Sequence, residues 1–127
     1  MNKKDIIETL NRYNLDTSKY IVLAGAAMTM LGLKEQTHDI DIAVTKDYYE
    51  YLRNNYDCKV EWCNEGNDVY FIDDIINFGV NYYNEDHLII DGIPVQKPED
   101  IIKVKKIFGR KKDLDDIEII KKYMEKR

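Results

Sequence analysis

The sequence predicts a mixed α/β domain built on one central sheet, and three observations carry that prediction. Short runs rich in β-branched residues, such as Tyr20-Ile21-Val22-Leu23, alternate with stretches whose apolar residues recur at helical spacing. The strand-like runs are interleaved with helices rather than gathered in one block, and the chain closes in a helical pair. No repeat, low-complexity tract or linker interrupts the 127 residues, so residues 1–127 read as a single domain with one hydrophobic core.

The elements follow in order. Ile6, Ile7, Leu10 and Tyr13 lie on one face of an amphipathic helix that Asn14 and Asp16 end. Tyr20 to Leu23 is a buried strand, Ala24-Gly25 turns the chain, and Ala26 to Leu31 is a short helix closed by Gly32. Asp39 to Val44 is the next strand. Thr45 caps a helix to about Tyr56 with Tyr48, Leu52 and Tyr56 inside. Strands are expected over Cys58 to Cys63, Asp68 to Ile72 and Ile75 to Tyr83. A hairpin then runs from His87 to Val95 around Asp91-Gly92. Pro98 opens a helix to Phe108, with Ile101, Ile102 and Phe108 marking its inner side, and Gly109 stops it. Asp113 caps a last helix with Leu114, Ile117, Ile120 and Met124 inside.

Composition narrows the function. With 44% apolar and 34% charged residues the chain is globular rather than disordered. A net charge of −5 argues against sequence-independent binding to nucleic acid. The local run Lys103, Lys105, Lys106, Arg110, Lys111 and Lys112 is either a solvated face or a rim for an anionic ligand. Cys58 and Cys63 have no His or Cys at metal-ligand spacing and read as a reduced pair. Polar sequence follows Met1, and no apolar run reaches bilayer length, so the expectation is a cytoplasmic protein without a membrane partner.

The chemistry concentrates at Asp39-Ile40-Asp41-Ile42. Side chains two residues apart on a strand share a face, so Asp39 and Asp41 lie together, opposite Ile40, Ile42 and Val44. Two carboxylates on one face of an apolar strand repel, and burial increases the cost. A hard divalent cation such as Mg²⁺ or Mn²⁺ relieves it. The alternative is a solvated strand face with incidental acids. His38, one residue before, faces away from the pair.

Leu23-Ala24-Gly25-Ala26-Ala27, then Leu31-Gly32, then Thr37-His38-Asp39-Ile40-Asp41-Ile42 resembles the signature of the nucleotidyltransferase fold of the DNA polymerase β superfamily. Gly92-Ile93-Pro94-Val95, Pro98-Glu99-Asp100, Lys105 and the segment Gly109 to Ile117 resemble its later part, so the likeness spans about residues 20 to 120. In detail the chain is similar to small bacterial members, including AbiEii-type toxin nucleotidyltransferases.

The resemblance implies a nucleotide triphosphate as substrate, Mg²⁺ or Mn²⁺ as cofactor, and Asp39 and Asp41 as metal ligands. It implies a nucleotide-binding corner at Ala24, Gly25 and Ala26, where glycine lets backbone approach phosphate and the helix amides face it. It assigns Lys105 to phosphate or to the acid pair, against a lysine that merely snorkels to solvent. Arg110 and Asp113 fall in its last motif, although Asp113 is also a good helix cap. The acceptor implied is tRNA, a protein or a small molecule, and an antitoxin or a homodimer mate is an implied partner.

Two departures stand out. The family usually carries two adjacent small residues, commonly Gly-Gly or Gly-Ser, and here the first is Ala24, which matters if that position needs positive φ. The family also places a third carboxylate on a later strand. In Ile75-Ile76-Asn77-Phe78-Gly79-Val80 that place falls on Asn77, which can ligate metal but cannot act as a base at neutral pH. Asp73 or Asp74 just upstream is the substitute. Two functions therefore stand open: a metal-dependent enzyme transferring a nucleoside monophosphate from an NTP to a hydroxyl or phosphate, and a catalytically impaired nucleotide- or partner-binding protein on the same fold.

Overall fold

In a computed structural model, residues 1–63, 68–80 and 86–126 are described. Among them five helices and seven strands occur in the order α1 (Lys3–Arg12), β1 (Tyr20–Leu23), α2 (Ala24–Met30), β2 (Ile40–Val44), α3 (Lys46–Asn55), β3 (Cys58–Trp62), β4 (Val69–Ile72), β5 (Ile76–Val80), β6 (His87–Ile90), β7 (Ile93–Gln96), α4 (Pro98–Phe108) and α5 (Lys111–Glu125). The strands form one mixed sheet in the order β3-β4-β5-β2-β1-β7-β6. β1 runs antiparallel to β2 and parallel to β7, while β2 runs parallel to β5. The strand expected over 75–83 appears as β5 up to Val80, and residues 81–83 lie outside the described residues.

The core follows the apolar alternation of β2. Ile40, Ile42 and Val44 are buried with Ile6 and Leu10 of α1 and Tyr48 and Leu52 of α3, which leaves Asp39 and Asp41 on the other face. Tyr49, Tyr70 and Phe78 form an aromatic group, with Tyr49 edge-on to Phe78 at 5.7 Å. α1 begins in a reciprocal cap between Asn2 and Asp5, and the Thr45 side chain accepts from Tyr48 N–H at the start of α3. α2 ends in a Schellman turn. Gly32 N–H donates to the Thr29 carbonyl at 3.1 Å and Leu33 N–H to the Met28 carbonyl at 2.8 Å, with Gly32 at φ 80.

Several helix details differ from the sequence expectation. α2 starts at Ala24, directly off β1, and not at Ala26. α5 starts at Lys111, because Asp113 occupies its third position and reaches back to the Arg110 N–H. Asp113 therefore caps from within the helix. Phe108 is 62% exposed, its ring lying under the Arg110 guanidinium at the end of α4. Leu114 is 53% exposed, because α5 turns Asp113, Asp116, Ile117 and Ile120 inward. Cys58 and Cys63 are both free thiols. Among the described residues no helix is long and apolar enough to cross a membrane.

Candidate functional site

The parallel pairing of β2 with β5 builds the centre of the site. Asp41 lies directly opposite Asn77, so their side chains share a face. Asn77 is buried, and its Nδ2 donates to Asp41 Oδ1 at 2.6 Å and to Asp39 Oδ2 at 3.2 Å. One amide thus bridges both carboxylates. Burial pushes the Asp41 carboxyl up, and the charge of Asp39 adds to the rise; the Asn77 hydrogen bond and the charge of Lys105 act against it. Among the described residues no cation lies within ion-pair distance of Asp39 or Asp41. Asn77 Oδ1 has no hydrogen-bond partner although it is buried.

Those features fit a divalent cation. Two under-neutralised carboxylates and an orphaned amide oxygen are hard oxygen donors of the kind Mg²⁺ takes, and Mg²⁺ usually completes its shell with water and substrate phosphate. Among the described residues no three His, Cys, Asp or Glu side chains form a group that could hold a metal ion.

The β1–α2 corner adjoins this centre, with Leu23 opposite Asp41. Ala24 adopts φ 52, so the position does take the left-handed region that disfavours a residue with a Cβ. Its N–H donates to Gln96 Oε1 on β7 at 3.0 Å, and Gln96 is 6% exposed. Gln96 escaped the sequence reading, because its partner is 72 residues away. Gly25 is helical, and a Cβ there would come within 3.4 Å of Thr37 Oγ1. Thr37 Oγ1 in turn donates to the Asp39 carbonyl at 3.0 Å, so the corner lies against the loop that carries Asp39. No side chain caps α2, whose first turn begins at Ala24, Gly25 and Ala26.

Lys105 does not snorkel. It is 8% exposed, with Nζ 2.9 Å from Asp116 Oδ2 and 3.5 Å from Asp113 Oδ1. Asp113 also takes Arg110 Nε at 2.7 Å, and this holds its carboxyl below the usual range. Asp116 takes Lys34 Nζ at 3.1 Å. Lys105, Arg110 and Asp113 thus come together in a clasp between α4 and α5, and Lys105 reaches the acid pair only through its field on Asp41. The remaining acid candidates sit elsewhere. Asp73 and Asp74 occupy the β4–β5 turn with φ 53 and 56, and Asp73 accepts a hydrogen bond from the Tyr13 hydroxyl. His38 is exposed. A cavity of about 500 Å³ lies away from the acids, lined by Lys3, Thr29, Leu33 and Lys34 among others.

No family model, curated protein or solved structure significantly matches the chain.

Proposed function

We propose that this chain is a nucleotidyltransferase-fold protein that moves a nucleoside monophosphate from an NTP to an acceptor hydroxyl or phosphate. The observation that carries this reading is the Asp39–Asp41–Asn77 cluster, acidic and partly buried, with no cation beside it and one orphaned amide oxygen. Asp39, Asp41 and Asn77 hold Mg²⁺ or Mn²⁺. The bound ion supplies charge neutralisation at the triphosphate. The corner receives phosphate through the backbone amides of Gly25 and Ala26, while the Ala24 N–H is held by Gln96. Lys105 and Arg110 act at one remove, fixing α4 and α5 at the site's border. The acceptor belongs to tRNA, a protein or a small molecule, and the setting is cytoplasmic, where NTPs and Mg²⁺ occur together. An antitoxin or a second copy is the partner suggested by the likeness to toxin nucleotidyltransferases.

A second reading is favoured by one specific observation: an amide stands opposite Asp41, where a carboxylate would serve as base. On that reading the chain binds nucleotide, or a protein partner, without turnover.

Calorimetric titration of the four NTPs with Mg²⁺ or Mn²⁺ tests the site. Metal-dependent binding by the wild type, lost in Asp39→Asn/Asp41→Asn, is expected. Equal binding by the double variant, or none by the wild type, overturns the metal assignment. Between the two readings, transfer that appears only on Asn77→Asp favours the binder.

A further inference from the structure

We propose that Gln96, at the end of β7, is a positioning residue: it fixes the corner that backs the Asp39 loop, and so sets how tightly the acid pair holds its cation. The inference rests on the metal assignment made above. The contacts run in a short chain. Gln96 Oε1 accepts the Ala24 N–H at 3.0 Å. The next residue, Gly25, lies against Thr37, whose Oγ1 is 3.4 Å from where a Gly25 Cβ would stand. Thr37 Oγ1 then donates to the Asp39 carbonyl at 3.0 Å. Each link is a direct contact, so a shift of the corner reaches the backbone of Asp39.

The sheet register brings Gln96 to this place. β1 pairs with β7 in parallel at Val22 and Val95, so Gln96 comes level with Leu23. Leu23 lies opposite Asp41 on β2, and Asp41 opposite Asn77 on β5. Opposed residues share a face, so Gln96 stands on the acid face with Leu23 between it and Asp41. From there its side chain reaches the first residue of α2.

Two features give the side chain a task beyond packing. Ala24 adopts φ 52, a conformation that a residue with a Cβ seldom holds unaided. α2 also has no side-chain cap, since Leu23 stands at the cap position. Gln96, buried at the end of β7, reaches across and supplies the acceptor that Leu23 lacks. Without that acceptor Ala24 relaxes toward ordinary backbone, and Gly25 moves with it away from Thr37. The Asp39 carbonyl then loses the hydroxyl that steadies it, and the carboxylates meet the cation in a wider range of geometries. Groups that orient metal ligands act on affinity in this way without touching the metal.

Titration of the full chain with Mn²⁺, read by electron paramagnetic resonance with and without each NTP, tests this. Gln96→Met keeps the length of the side chain and removes the acceptor. It should weaken Mn²⁺ binding about tenfold, the effect expected of a group that orients metal ligands. Adding Ala24→Gly should bring binding back to within about three-fold of wild type, because glycine takes the left-handed region without a tether. Wild-type affinity in Gln96→Met overturns the positioning role and leaves the metal assignment standing. A loss that Ala24→Gly does not restore overturns it too, since the corner's conformation would not be what Gln96 controls. If neither variant folds, Gln96 serves the fold at large and the inference falls. A wild type that binds no Mn²⁺ under either condition overturns the metal assignment, and this inference with it.

Discussion

Two pairs of aspartates sit in partly or fully buried places in this molecule, and the protein treats them in opposite ways. Asp113 and Asp116 are met by three cations, Lys105, Arg110 and Lys34, at 2.7 to 3.5 Å. Asp39 and Asp41 are met by one neutral amide, at 2.6 and 3.2 Å. Burying a carboxylate without a partner costs several kcal/mol, on the order of the whole stability margin of a small domain. Among the described residues three cations pair with one set of acids and none comes within ion-pair distance of the other. The first pair is structural and joins α4 to α5. The second has no ion pair among the described residues and is bridged by the Asn77 amide alone.

The sharpest way to break this comparison is to remove the shared cation of the structural pair. Lys105→Met leaves two buried carboxylates with only peripheral partners, and should destabilise the fold by about 3 kcal/mol in urea unfolding. A loss under about 1 kcal/mol would mean that Lys34 and Arg110 suffice, and that Lys105 is free to serve the other pair.

Next comes Asp41→Asn, which should do the reverse and raise stability by about 1 kcal/mol at neutral pH without metal. The sign follows from the raised Asp41 carboxyl. A group whose folded pKa is raised loses stability as pH climbs from its unfolded value, near 4, through its folded value. The advantage of the variant should therefore be full above that window and vanish below about pH 4, in denaturant melts at each pH. Mg²⁺ should narrow the difference by stabilising the wild type alone.

A smaller gain, about 0.5 to 1 kcal/mol, is expected for Ala24→Gly, which relieves a left-handed residue beside the site. Thermal melts check it, and no gain would mean that the Gln96 hydrogen bond holds the corner without strain. The smallest effect belongs to the surface. Lys111 and Asp115 pair at 3.8 Å with both side chains exposed, so Lys111→Ala should change stability by less than about 0.5 kcal/mol. A larger loss would blur the distinction between buried and exposed ion pairs on which the comparison depends.

The sequence made one half of this comparison legible and hid the other. Asp39 and Asp41 were readable because a strand's period of two is local, and Ile40, Ile42 and Val44 declared the opposite face. Asn77 was placed from its position in a strand-like run, and the parallel register then set it opposite Asp41. The clasp was not readable. Lys105 stood out as a lysine on an apolar face, but its partner Asp116 lies on another helix, and nothing local pairs the two. Phe108 and Leu114 were misplaced for the same reason, since the clasp rather than apolar periodicity fixes how α5 is turned. The positive φ of Ala24 needed the corner itself.

The hydrogen bond from Ala24 to Gln96 spans 72 residues, and those from Asn77 to Asp41 and Asp39 span 36 and 38. Contacts so distant along the chain close late, because loop-closure entropy is spent before they form. On a translating ribosome, β1, α2 and β2 emerge with both acids long before β7 arrives to lock the corner. The amide that bridges the acids is synthesised only with β5. The acid–amide cluster and the corner beside it should therefore be completed in one late step, together with the sheet.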